Sequence, residues 1–188
     1  MKIDKELQQL IPPLANDELK QLENNLKNEG WRNNERILTW NGFIIDGHNR
    51  YTICNKNKIP FKTQDKKFKD KNEVILWMID NQLGRRNIPD YARVELNLKK
   101  EELISVGQGF RSDLSPIGEK FNAEKKLAEM SQVGQGTIQR VKFIRDNADE
   151  ETKKELRSGN RELSINKVYT DLKKKKQRED VIQEFKEA

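Results

Sequence analysis

The chain has 188 residues, of which 34% are hydrophobic and 36% charged, with a formal net charge of +6; its core is therefore modest, its surface ionic, and one or two small domains are expected. It has no continuous apolar run long enough to span a bilayer, and its opening residues, MKIDKELQQL, place acids and glutamines where a secretory signal needs an apolar stretch. One cysteine, Cys54, excludes an internal disulfide, and one histidine, His48, disfavours a protein-only zinc site, a pattern that fits a cytoplasmic protein.

The first half alternates helices with short strands. Asn16 or Asp17 can cap a helix whose apolar face is Leu19, Leu22 and Leu26, and Gly30 stops it. RILTW and FIID flank Asn41-Gly42, a strong hairpin signal because both turn residues tolerate positive φ. Gly47 then opens a short helix, HNRYTICNK, and Pro60 starts an extended segment, PFKTQ. A helix follows from about Asp70 to Leu83, with Val74, Trp77 and Met78 inward, or Ile75 and Ile79 on the adjoining stripe. These elements predict a compact α+β domain over residues 1–87.

From Pro89 the pattern is purely helical. Val94 and Leu98 continue an apolar face toward Leu103, and a loop rich in Gly, Ser and Pro spans Val106 to Gly118. Two helices are expected within residues 123–145, another from Asp149 to Arg157 halted by Ser158-Gly159, and a last one from Ser164 to about Lys176. The fold class is thus α+β, with an all-helical domain over 89–170 and a charged tail or helix over 171–188.

Charge is concentrated in two blocks: residues 31–90 carry a net +5 and residues 120–145 a net +4. Such blocks favour a polyanion, since each neutralised phosphate releases counterions. In the second block Leu127 and Ala128 sit on one helix, Val133 in the turn, and Ile138 and Val141 on the inner side of the next helix. That is the pattern of a helix-turn-helix, whose second helix enters the major groove of double-stranded DNA. Its outward residues are Gln135, Thr137, Gln139, Arg140 and Lys142, types suited to base edges and phosphates. Gln132 falls at the turn position where φ is often positive and glycine is usual.

The other candidate site is DGHNRY, residues 46–51. Free amides at a helix start favour an anion, Arg50 lies in the first turn, Asp46 can cap the helix, and Tyr51 can pack under it. Asp46 and His48 are too few for a cation cage, so no metal site is expected, and His48 reads as a hydrogen-bonding turn residue. Trp31, Trp40 and Trp77 are spaced as core residues, Cys54 as a small buried hydrophobe, and Lys173 to Lys176 as a solvated helix end.

The order of helix, hairpin ending in a Gly-x-x-Arg turn, helix, and helix-turn-helix resembles the ParB family, and more closely the ParB-like proteins of plasmids and mobile elements with a DGHNR-type turn. The resemblance spans roughly residues 7–170. It implies a ParB/sulfiredoxin-like N-terminal fold in which Gly47, His48, Asn49 and Arg50 contact the phosphates of CTP or another nucleotide, with Mg2+. The family's second phosphate motif, Glu-Asn-x-x-Arg, is similar to DNQLGRR here, which brings in Asn81 with Arg85 and Arg86, one and two residues late. Sulfiredoxin shares the fold, but His48 stands where its catalytic cysteine would be. The resemblance further implies a homodimer, a partition-type partner protein and association with a plasmid or nucleoid. The leading expectation is a non-enzymatic, sequence-specific DNA-binding protein of partition, replication or transcriptional-regulation type. The alternatives are an enzyme, either a nucleotide hydrolase or a metal-dependent nuclease, and a protein-interaction module with a basic face.

Overall fold

A computed structural model of the chain describes residues 1–32, 35–85, 87–107, 117–160 and 162–187. It divides into two compact units, Met1–Arg86 and Asn87–Ala188.

The first unit runs α1 (Lys5–Gln9), α2 (Asn16–Glu29), β1 (Ile37–Trp40), β2 (Phe43–Asp46), α3 (His48–Asn57), β3 (Thr63–Asp65) and α4 (Lys71–Leu83). Its sheet has the order β2-β1-β3, with β1 antiparallel to β2 and parallel to β3. The hairpin turns at Asn41 (φ 48°) and Gly42 (φ 79°), the backbone that Asn-Gly permits. A parallel bridge from Lys2 to Phe43 lies beyond β2. Ile37, Ile44 and Ile45 of the sheet are wholly buried, as are Leu7 of α1 and Val74, Met78 and Ile79 of α4. Each such side chain contributes roughly 1.5–3 kcal/mol of burial.

α4 buries both candidate stripes, whereas Trp77 is half-buried against Phe68 (5.7 Å) and Lys66 (4.3 Å). Trp31 and Trp40 are likewise half-buried rather than core. Leu26 packs with Ile53 and Cys54, but Leu19, two turns earlier and expected on the same face, is 39% exposed. Nor does Asn16 or Asp17 cap α2. The cap is Ala15, whose amide donates to Glu18 Oε2 at 3.0 Å.

The second unit contains α5 (Asp90–Gly107), α6 (Ile117–Ser131), α7 (Gln135–Asn147), α8 (Glu150–Ser158) and α9 (Ile165–Glu187). Tyr91, Val94 and Leu98 of α5 pack with Leu127 and Ala128 of α6, Ile138, Val141 and Ile144 of α7, Leu156 of α8 and Val168 of α9. α8 is capped by Asp149, whose carboxylate accepts from the Thr152 amide (2.8 Å), and is closed by Gly159 at φ 72°. Arg157 forks onto Glu95 at 2.6 and 2.7 Å, tying α8 to α5. Of the expected loop Val106–Gly118, residues 108–116 lie outside the described residues, and its flanks are helical. α9 continues to Glu187, well past Lys176; this stretch contains no glycine or proline and is rich in Lys, Arg, Gln and Glu, which are good helix formers.

Candidate functional site

β2 delivers the chain to Asp46, and Gly47 turns it into α3 at φ +90°. A Cβ on Gly47 would lie 3.3 Å from Ile37 Cγ1 and 3.4 Å from Arg50 Nη2, so both backbone and space require glycine here. No side chain caps α3, and the amides of its first turn, from His48 to Arg50, have no acceptor within the helix. Asp46 does not cap it as expected. Its Oδ2 pairs with Arg50 Nη2 and its Oδ1 with Arg85 Nη2, both at 3.1 Å; two charge-assisted contacts outweigh one to a backbone amide. Arg50 also reaches Glu35 Oε2 at 3.1 Å and lies 5.7 Å from the Trp31 ring centroid, while Tyr51 packs edge-on against Phe61.

Asp46, Gly47, Arg50, Arg85 and Glu35 line an open cleft of about 440 Å³. Its far wall is Ile11, Leu14 and Leu22 with the amides of Gln21 and Asn25, and its acids are Glu18, Glu35 and Asp46. Of the residues that the resemblance assigns to nucleotide, Gly47, His48, Asn49, Arg50 and Arg85 line the cleft. Asn81 is exposed and is not among the cleft-lining residues, and Arg86 falls outside the described residues. The late placement of Arg85 is accommodated because Gly84 stays right-handed and the Arg85 amide bonds back to Gln82 (2.9 Å). The α1–α2 wall has no local signal in the sequence; tertiary folding brings it there.

His48 is 4% exposed, and neither ring nitrogen has a hydrogen-bond partner, contrary to the hydrogen-bonding role read from the sequence. Burial lowers its pKa, with Asp46 pulling weakly the other way. The glycine cradle and open amides suit a phosphate, while the two arginines are already engaged by carboxylates. Among the described residues no group of three or more His, Cys, Asp or Glu side chains is placed to hold a metal ion.

In the second unit, α6 and α7 are joined by a tight turn in which Gln132 adopts φ +55°. The end of α6 is pinned from α5: Asn97 Nδ2 donates to the buried Ser131 Oγ (3.0 Å) and Arg93 Nη1 to the Ser131 carbonyl (3.4 Å). Val133 is half-buried against the core. On the outer side of α7, Gln139 is exposed, and Gln135, Thr137, Arg140 and Lys142 are partly exposed. Glu124 of α6 holds two of them, Lys142 Nζ at 3.1 Å and Gln139 Nε2 at 3.5 Å, and this contact with Lys142 keeps the Glu124 carboxyl below its ordinary pKa.

No protein-family model matches the sequence, and no curated protein matches it. Solved structures do match. One pNOB8-like ParB N-domain superposes with a TM-score of 0.55 at 16% identity, covering 90% of this chain and 74% of the other. A second structure of a pNOB8-like ParB N-domain gives 0.52 at 16% identity, covering 89% and 69%. The chain has the fold of a ParB N-domain, a mixed α/β part followed by helices, as the sequence implied. Among the described residues no helix is long and apolar enough to cross a membrane.

Proposed function

We propose that the chain is a sequence-specific binder of double-stranded DNA, of partition, replication or transcriptional-regulation type, with α6 and α7 as its helix-turn-helix. The observation that supports this reading is the division of α7: Ile138, Val141 and Ile144 are buried, while Gln135, Thr137, Gln139, Arg140 and Lys142 are left at the surface beside a pinned turn. Glutamine pairs bidentately with adenine, arginine with guanine, and lysine with phosphate. Selection of bound fragments from random duplex DNA tests it. A defined site should emerge, and each base-reading residue changed to alanine should cost about 1–3 kcal/mol on that site. No enriched site, or unchanged affinity when Gln135, Gln139 and Arg140 are all alanine, overturns the assignment.

A second reading concerns the cleft. The convergence of Arg85 with Arg50 and the Gly47 turn supports binding of a nucleotide there, CTP or another, with Mg2+ carried by its phosphates. Arg50 would fork onto a phosphate, the α3 amides would cap it, and Arg85 would close the other side. Calorimetry with CTP, ATP and GTP, with and without DNA, should give heat for one nucleotide that Arg50→Ala abolishes at unchanged thermal stability. No heat under any condition leaves the turn as scaffold. We further propose that residues 1–87 and 89–170 act as separate ligand and DNA modules, and that the chain works as a homodimer with a partition-type partner.

A further inference from the structure

The positive charge of the first unit has one source. Residues 56–71 hold seven lysines against two acids, Asp65 and Asp70, and the rest of residues 31–90 is balanced. Both acids have local roles: Asp65 accepts from Thr39 Oγ1 (2.8 Å), and Asp70 caps α4 through the Glu73 amide (2.9 Å). Three lysines are also engaged: Lys56 with Glu23 (3.4 Å), Lys71 with Asp4 and Glu6 (2.8 Å each), and Lys66 over Trp77. Lys58, Lys62, Lys67 and Lys69 are exposed, and among the described residues their ammonium groups have no partner.

The backbone fixes their direction. Ile59 and Phe61 pack inward on the Leu26–Ile53–Cys54 cluster and Phe68 on Trp77, so anchored apolar residues alternate with outward lysines. Lysine often protects an edge strand from pairing, but β3, the edge here, is Thr63, Gln64 and Asp65; the lysines flank it rather than occupy it. Stable anchoring at a membrane surface takes an apolar or lipid signal beside the cations, and here Ile59, Phe61 and Phe68 are only partly exposed. A run of exposed, unpaired cations without exposed apolar company suits a polymer of phosphates.

We propose that Lys58, Lys62, Lys67 and Lys69 form a second, sequence-independent contact surface for the phosphate backbone of double-stranded DNA, on the unit that does not carry α7. The proposal rests on the DNA-binding reading above. The test measures affinity of the full chain for a random-sequence duplex as salt is raised. The variant has all four lysines changed to glutamine; the control makes the same change at Lys5, Lys20, Lys154 and Lys167, which are exposed elsewhere. The slope of log affinity against log salt should fall by about 2–4 in the variant, at roughly 0.9 for each phosphate no longer neutralised, while preference for a selected site over random DNA is kept. The control slope should change far less. Equal slopes in variant and control overturn the proposal. So does an unchanged slope accompanied by weaker binding to phosphatidylcholine vesicles containing phosphatidylserine, which assigns the lysines to a membrane surface. A wild-type chain that binds neither selected nor random duplex sinks the DNA-binding reading itself, whereas site selection with an unchanged variant slope sinks this proposal alone.

Discussion

A buried imidazole with no hydrogen-bond partner resists protonation, because the charge would have to leave water without compensation. His48 is such a group, its pKa lowered by burial below the ordinary value of 6.5. In the unfolded chain it takes up a proton as pH falls through that ordinary value, whereas in the folded chain it does not, so acid favours unfolding. We expect the urea midpoint of the first unit to fall between about pH 7 and 5, and His48→Gln to flatten that dependence. Coincident profiles for wild type and variant would show that His48 is not the source. The Glu23 carboxylate acts with the same sign in a different window. Glu23 is held at about 2 by Lys27 and Asn57 against an ordinary value of 4.5, so its contribution is lost only in stronger acid.

Within the α6–α7 pair, Glu124 sets how the outer face of α7 meets DNA. Its carboxylate neutralises Lys142, restrains Gln139, and would stand near incoming phosphates. Glu124→Gln should therefore tighten binding to random duplexes several-fold and lower the preference for a selected site; an unchanged preference ratio would limit Glu124 to a structural role. Most of these elements are legible in the sequence because their signals are local: Asn41-Gly42 specifies the hairpin, Asp149 and Gly159 bound α8, and alternating burial along α7 follows its spacing. Elements whose limits depend on distant neighbours are not. Leu19 has the spacing of a core residue yet stands 39% exposed, and α9 outlasts its apolar face because nothing in its composition stops it. Half of the cleft follows from the Gly-x-x-Arg spacing. The rest, from Ile11 to Asn25, is contributed by the α1–α2 connection and α2, whose approach no short motif encodes. Asp46 defeats a local reading for a related reason: its choice between a cap and two guanidinium groups depends on Arg85, thirty-nine residues away.

At the scale of the molecule, each unit carries its own apolar cluster, and Pro89 separates their patterns. We expect limited proteolysis to cut first near residues 86–90 or within 106–118, and residues 1–86 produced alone to unfold cooperatively; cuts confined to the β1–β2 hairpin would contradict the division. The chain also carries its own probe of that cooperativity. Its one thiol, Cys54, is 1% exposed between α2 and α3, and burial raises its pKa, so the native form offers little thiolate. A thiol reagent can reach it only when the packing of α2, Trp31, Ile59 and Phe61 around it opens. Its modification rate is thus a clock for opening of the first unit that needs no engineered label, and the second unit, having no thiol, leaves that clock undisturbed.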